Sequence, residues 1–121
     1  MTGRLQFCTV LMRRRFDILI EEGIVAKKFY TVIVYRSVLD TAALAEYARL
    51  ATPLIARFGG RVVARGQPWR VFEDGADERV TVLEWDDPEQ AVRMYDSEDY
   101  QTALALLKDK VVRDNRIVEG V

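Results

Sequence analysis

The side chains best suited to chemistry in this sequence are an arginine and a glutamate in apolar, strand-like stretches. Arg65 would suit a ligand that carries a carboxylate, because a guanidinium binds carboxylates through two parallel hydrogen bonds. The alternative is a structural ion pair between Arg65 and Glu84 or Glu73. Glu84 lies in a largely apolar strand, where desolvation would raise its pKa. Glu84 is therefore either a weak candidate for a catalytic base or merely the partner of Arg65.

Three tyrosines and a serine are further candidates for a ligand-binding site. Tyr47, Tyr95 and Tyr100 fall on the apolar faces of predicted helices, where core packing is the simpler interpretation. Ser97 is a poor nucleophile because the chain has no histidine to activate it, and helix capping explains its position. The candidate ligand-binding residues are therefore Arg65, Tyr47, Glu84, Tyr95, Ser97 and Tyr100.

The composition argues against metals and cofactors. Without histidine, and with Cys8 as the single cysteine, the chain lacks the usual ligands of zinc and the usual proximal ligand of haem. Its acidic clusters, at 86–87 and 96–99, are interpreted as solvated helix starts rather than magnesium sites. The sequence predicts no metal and no cofactor.

The charge and hydropathy patterns limit the partners and the compartment. Eighteen basic and nineteen acidic residues give a net charge of -1, with no basic stripe to attract nucleic acid. No apolar run approaches the roughly 20 residues that span a bilayer, and the apolar patch after Arg13–Arg15 is too short for a signal peptide. A lone cysteine fits a reducing compartment. We expect a cytoplasmic protein that binds neither nucleic acid nor membranes.

The elements that must position the candidate residues begin with a strand over Phe29–Tyr35, which is rich in β-branched and aromatic residues. Asp40 can cap a helix whose apolar residues recur every three or four positions until Gly59. Pro53 lies inside this helix and predicts a kink or a break into two shorter helices.

A hairpin and a second helical region complete the predicted order β-α-β-β-α-β. Residues 61–64 and 69–72 are interpreted as one strand, interrupted by a bulge at Gly66 and Pro68, that turns at Asp74-Gly75 into a strand over 79–85. The remaining signals are a cap and first-turn proline at Asp87-Pro88, a second cap at Ser97 and a closing strand over 113–121.

This order predicts an α+β ferredoxin-like fold: a four-stranded antiparallel sheet with both helices on one face. The strands are apolar on both faces, so we expect a second copy to cover the free face and form a homodimer. Simple alternation places Arg65 on the same side as Arg61 and Val63, facing the space between the two sheets.

Residues 1–25 differ from the domain over 26–121 in their sequence pattern, because they show no clear alternation of apolar and polar residues. Two interpretations stay open: the native protein begins at Val25 through an alternative start, or the segment forms an accessory helix with Leu11, Phe16, Leu19 and Ile20 on one face. The intact mass of the protein from its native source would decide between them.

Several segments resemble the family called domain of unknown function 1330, within the dimeric α/β-barrel superfamily. They are Gly59–Gly66, Val82–Trp85, Tyr95–Tyr100 and Val118–Gly120. The sequence departs from the family at Gln67, where a second glycine is frequent, and at Met94, where a tryptophan is frequent. The resemblance implies two sheets that pack across a dimer axis, and a cavity between each sheet and its helices. It implies no particular reaction.

Three functions remain open at this stage. The leading hypothesis is a homodimer whose pocket binds a small anionic, partly apolar metabolite, with Arg65 as the anchor. The second is a cofactor-independent isomerase, lyase or oxygenase that uses Glu84 as the base and Arg65 to hold the developing anion. The third is a structural or assembly role, with a cavity filled by side chains.

Overall fold

The computed structural model describes residues 26–121, which form one four-stranded sheet covered by helices. The strand order is β2-β3-β1-β4, and all neighbouring strands are antiparallel. The predicted α+β ferredoxin-like class is confirmed, and the expectations for residues 1–25 lie outside the described residues. The elements are β1 (Phe29–Val38), α1 (Thr41–Arg57), β2 (Arg61–Gly66), β3 (Val80–Trp85), α2 (Pro88–Asp96), α3 (Glu98–Leu104), a 3₁₀ turn (Ala105–Leu107) and β4 (Val111–Glu119).

The helices begin at the capping residues that the sequence indicates. The Asp40 carboxylate accepts a hydrogen bond from the Ala43 amide and starts α1. Asp87 and Gln90 form a reciprocal capping box at the start of α2. Ser97 accepts from the amide of Tyr100, at 3.1 Å, and starts α3. Each side chain satisfies an amide that the first helical turn leaves without a partner.

Helix α1 continues through Pro53, so of the two predicted alternatives the break into two shorter helices is wrong, and the kink stays a prediction. Proline removes one backbone donor, which leaves the carbonyl of Arg49 without its usual partner. Because Pro53 lies on the exposed side of the helix, water can hydrate that carbonyl.

The second strand is shorter than the sequence predicted. It ends at Gly66, and residues 67–79 form a loop in which Trp69 and Phe72 are largely exposed instead of paired in the sheet. The predicted continuation over 69–72 is therefore wrong. Aromatic content suggested a strand there, but strand pairing also needs a neighbour in register, and the pairing with β3 ends at Gly66–Val80.

A β-bulge at Val63 decides which way β2 presents its side chains. Val62 lies opposite Leu83, and the next paired residue is Ala64, opposite Val82. Because one extra residue reverses the alternation, Arg61 and Arg65 lie on opposite faces of the sheet. The prediction that they share a face, and that Arg65 faces the space between two sheets, is wrong. Arg65 lies opposite Thr81, on the helix-covered side.

The two faces of the sheet differ in burial. On the covered face, Thr31, Ile33 and Tyr35 of β1 are buried beneath the helices. On the other face, no helix of the described residues covers the sheet, and its central valines are only half-buried. These valines are Val32, Val34, Val80 and Val82. No helix within residues 26–121 has the length and apolar character needed to cross a membrane.

Trp85 anchors the helices to the sheet. Its side chain is fully buried, and its indole N–H donates to the Thr31 hydroxyl over 2.9 Å. Gly60, just after α1, lies against the indole so closely that a Cβ there would be 2.7 Å from its Cζ3 atom. This contact requires glycine at position 60 for reasons of space alone.

We expect Gly60→Ala to lower the free energy of unfolding by about 1–3 kcal/mol, because the added methyl group overlaps a tightly packed ring. Urea denaturation measures the effect. The same substitution in a Trp85→Phe background should cost clearly less, since phenylalanine lacks the ring atoms that the methyl group would overlap. If Gly60→Ala lowered the free energy of unfolding equally in both backgrounds, overlap with the Trp85 ring would not be the cause of the loss.

Candidate functional site

A cavity of about 410 Å³ lies between the covered face of the sheet and the helices. Helix α1 supplies an apolar wall that includes Leu44, Ala48 and Ile55, while β1 and β3 form the floor with Ile33 and Leu83. The volume is in the range that small organic ligands occupy in proteins. The main chemical groups of the wall are those of Tyr35, Tyr47, Arg65, Arg79, Tyr95, Asp96, Tyr100 and Arg113.

The polar centre of the cavity is a cluster of Arg113 from β4, Tyr47 from α1 and Tyr100 from α3. The two phenolic oxygens are hydrogen-bonded at 2.7 Å, and Arg113 donates to each of them over 3.2 Å. The guanidinium also lies over the ring of Tyr47, 5.2 Å from its centre, and 5.7 Å from the ring centre of Tyr35. Hydrogen bonds and aromatic rings thus hold the cation in place.

Burial and mutual contact fix the charges in this cluster. Burial raises the pKa of Tyr47, because it penalises the phenolate, and the neighbouring Tyr100 adds to the increase. Burial alone would lower the pKa of Arg113, but its interactions with the two tyrosines raise that pKa above the ordinary value. At neutral pH the site therefore contains a cationic guanidinium beside the neutral phenol of Tyr47.

No carboxylate neutralises Arg113 within residues 26–121, where every ion pair involves other residues. A guanidinium has five N–H donors, and this one directs only two hydrogen bonds to side chains of the described part of the chain. A partly buried cation with donors to spare and no described carboxylate within ion-pair distance is suited to an anionic ligand.

Arg65 lines the same cavity from β2, and Arg79 lines it from the loop residue that precedes β3. Neither residue forms an ion pair within the described range. The suggested ion pair of Arg65 with Glu84 or Glu73 is therefore wrong. The physical reason is the bulge at Val63, which separates Arg65 from the face that carries Glu84.

Glu84 lies on the uncovered face of the sheet, outside the cavity. Its carboxylate accepts hydrogen bonds from the Tyr30 hydroxyl and from Nε of Arg61, each over 2.9 Å. These two bonds, that of Tyr30 foremost, lower the pKa of Glu84. The expectations that Glu84 has a raised pKa and reaches the pocket as a base are both wrong.

The other candidate residues divide between the cavity and the helix ends. Tyr47, Tyr95 and Tyr100 line the cavity, and the rings of Tyr95 and Tyr100 lie 5.2 Å apart. Ser97 does not line it: the hydroxyl caps α3 and donates to the Met94 carbonyl. The capping interpretation of Ser97 accounts for both of its hydrogen bonds.

Arg113 and Arg79 are the cavity arginines that the sequence reasoning missed. A signal for Arg113 was present, because in β4 it alternates with Asn115 and Ile117 on the side that faces the helices. A charged residue at a strand position that faces the helices indicates either an ion pair or a binding site. Arg79 had no comparable signal, since its position depends on where the loop over 67–79 rejoins the sheet.

Within the described range, no three acidic, cysteine or histidine side chains lie close enough together to hold a metal ion.

A family model for a domain of unknown function, DUF1330, matches residues 28–121. The chain belongs to the DUF1330 family. No curated protein matches the sequence significantly. The family assignment confirms the resemblance seen in the sequence and, like it, specifies no reaction.

Solved structures similar to this DUF1330 chain share its fold at low identity. RPA0582, a protein of unknown function from Rhodopseudomonas palustris, is 19% identical with a TM-score of 0.66, over 80% of this chain and 83% of that one. A candidate antibiotic biosynthesis monooxygenase from Nitrosomonas europaea is 21% identical with a TM-score of 0.54, over 77% and 90%. A dimeric ferredoxin-like protein of unknown function from Thermobifida fusca is 15% identical with a TM-score of 0.55, over 79% and 92%. At these identities the likeness shows the fold alone.

The raised pKa of Tyr47 leads to an expectation at alkaline pH. Above about pH 10 the unfolded chain loses the Tyr47 proton while the folded chain keeps it, so the free energy of unfolding falls as pH rises. The slope from this group is at most about 1.4 kcal/mol per pH unit. Tyr47→Phe should remove that part of the slope in urea denaturation above pH 10.

Tyr95→Phe is the matched control, because Tyr95 also lines the cavity but is 43% exposed. It should leave the alkaline slope as in the unmodified protein. An unchanged slope in Tyr47→Phe would contradict the assignment of a buried neutral phenol at position 47.

Proposed function

We propose that this DUF1330 protein binds a small, partly apolar carboxylate in the cavity between its sheet and helices, with Arg113 as the anchor. The observation that carries the proposal is the Arg113 guanidinium, which is partly buried in a cavity wall without a carboxylate partner in the described range. The sequence-based hypothesis of an anionic metabolite is kept, but its anchor moves from Arg65 to Arg113.

The tyrosine pair adds a directional donor. Two hydroxyls carry two protons, and the hydrogen bond between Tyr47 and Tyr100 uses one of them. Arg113 only donates, so it takes up neither proton. One phenolic proton is therefore left for an acceptor, and a carboxylate oxygen beside Arg113 would accept it. The cluster offers an anion both a positive charge and a neutral hydrogen-bond donor.

The rest of the cavity favours an apolar ligand body. Leu44, Ala48, Ile55, Ile33 and Leu83 present methyl and methylene groups to the interior. Burying an apolar group there contributes roughly 25 cal/mol for each Å² removed from water. A carboxylate joined to a short aliphatic or aromatic body fits both parts of the wall.

The two other functions that the sequence left open have less support. An isomerase, lyase or oxygenase with Glu84 as its base conflicts with the position of that residue on the uncovered face and with its lowered pKa. A purely structural role leaves two observations unexplained: a cavity of about 410 Å³ and a cation that forms no ion pair within the described residues. Binding is therefore the proposal, in a cytoplasmic protein as the lone cysteine suggests.

A thermal-shift screen against small aliphatic and aromatic carboxylates tests the proposal. A ligand present at 100 times its Kd should stabilise the protein by about 2.7 kcal/mol. We expect at least one acid to raise the Tm, and the shift to be lost in Arg113→Gln. Arg113→Gln should still fold, because Tyr47 and Tyr100 remain hydrogen-bonded to each other.

Arg93→Gln is the matched control, since it removes an exposed positive charge from α2 outside the cavity. It should leave the shift unchanged. A flat screen, or a shift that survives in Arg113→Gln, would contradict the proposal. A circular dichroism spectrum of each variant without ligand checks that the fold is kept.

We also propose that two copies pair through the uncovered face of the sheet. Val32, Val34, Val80 and Val82 form an apolar strip there, and ion-paired groups border it on both sides. An apolar strip with a charged border is the composition of many protein interfaces. The dimeric Thermobifida fusca protein shares the fold, which is compatible with this arrangement.

Light scattering at micromolar concentration should give the mass of a dimer. Val82→Lys should give the mass of a monomer, because it places a charge in the middle of the strip. Leu39→Lys, which changes a side chain 77% exposed in the turn before α1, is the control and should stay dimeric. A monomeric mass for the unmodified protein would contradict the pairing.

A further inference from the structure

The cavity wall has more positive charge than one carboxylate needs. Three arginines line it, Arg65, Arg79 and Arg113, against a single carboxylate of the described residues, Asp96, which gives a net charge of +2. One carboxylate at Arg113 would account for only one of these cations. Arg65 and Arg79 form no ion pair and no side-chain hydrogen bond within residues 26–121, so the fold described gives them no structural partner.

Arg79 and Arg113 lie on either side of Tyr35, in one row across the floor. The Tyr35 amide donates to the Arg79 carbonyl over 3.0 Å, and Tyr35 is paired with Arg113 on the other side. Neighbouring strands are about 4.8 Å apart, so two such steps place the Cα atoms of the two arginines roughly 10 Å apart. The two positive groups thus start from opposite edges of the floor.

Arg65 belongs to the Arg79 end of the cavity. It lies opposite Thr81, and Arg79 is two residues before Thr81, so the two arginines are diagonal neighbours. Such neighbours have Cα atoms roughly 7–8 Å apart, which long side chains can bridge. Guanidinium groups that approach one another from these two positions repel each other, and an anion between them would relieve the repulsion.

The floor between the two ends is mainly apolar. The buried ring of Tyr35 and the side chain of Ile33 lie between the strands that carry the arginines, and Leu44 and Ala48 of α1 face them. A ligand that reaches from Arg113 to Arg79 must therefore place an apolar section over this floor.

We propose that the ligand is a dicarboxylate, with one carboxylate at Arg113, the other between Arg79 and Arg65, and an apolar spacer between them. The inference rests on the proposed function, because it adds a second anionic group to the ligand already assigned to Arg113. It also returns Arg65 to the site, as the outer of two residues that hold the second carboxylate.

Matched pairs of acids test the second carboxylate: hexanoate with hexanedioate, and octanoate with octanedioate, each titrated by calorimetry. Without a second cationic site, the diacid should bind more weakly than the monoacid, because it would bury a charge against apolar groups. With the site, we expect at least one diacid to bind about tenfold more tightly than its monoacid.

The variants are Arg79→Gln and Arg65→Gln, singly and together, with Arg93→Gln as the control. We expect the double variant to abolish the advantage of the diacid while the Kd of the monoacid stays the same. Arg93→Gln should preserve the advantage. The retained binding of the monoacid in the same samples shows that the double variant is folded.

The possible failures are distinct. If the monoacids bind through Arg113 but no diacid binds more tightly, or if the advantage survives in the double variant, the dicarboxylate inference is overturned and the proposed function stands. If neither monoacids nor diacids bind in a way that depends on Arg113, the proposed function is overturned, and the inference with it.

Discussion

The packing of Trp85 against Gly60 and Thr31 is the contact on which the arrangement of helices and sheet depends. The fully buried indole holds the end of α1 against β3 and is fixed to β1 by its hydrogen bond. It lies opposite Phe29, at the start of β1, whereas Tyr35 lies six residues further along, roughly 20 Å away. The layers are thus closely joined around Trp85, which also lines the cavity, and the arginine row lies further along the same cavity floor.

One extra residue in β2 determines which face of the sheet each of its arginines lies on. The bulge at Val63 sends Arg61 to the uncovered face, where it pairs with Glu84, and sends Arg65 to the cavity. Without it, both arginines would follow the same alternation. Glu84 and Asp114 form ion pairs on the uncovered face, while arginines that form no ion pair within the described residues lie on the covered one. An anion site can be created in this way by strand register alone, with no special sequence motif.

The sequence predicted what depends on local signals and missed what depends on pairing. The caps at Asp87 and Ser97 use hydrogen bonds within one helical turn, so their residue types and spacing were sufficient. The bulge depends on which residues of β3 lie opposite β2, and the local sequence pattern does not predict this pairing register. Arg113 acquires its partners from residues 66 and 13 positions away in the chain. The fold class and the two tyrosines of the cavity centre were therefore predictable, whereas their association with Arg113 required the three-dimensional structure.

The residue types that line the cavity also determine how the protein would respond to acidity. Histidine is the side chain whose charge ordinarily changes near neutral pH, and this sequence has none. The positive charge that faces the cavity comes from arginines, which do not lose their protons under physiological conditions. Occupancy would therefore follow ligand concentration and the protonation of the ligand itself. If the pH in the cell rose or fell by one unit, no imidazole in the cavity wall would change its charge, so the ligand would not be released by that route.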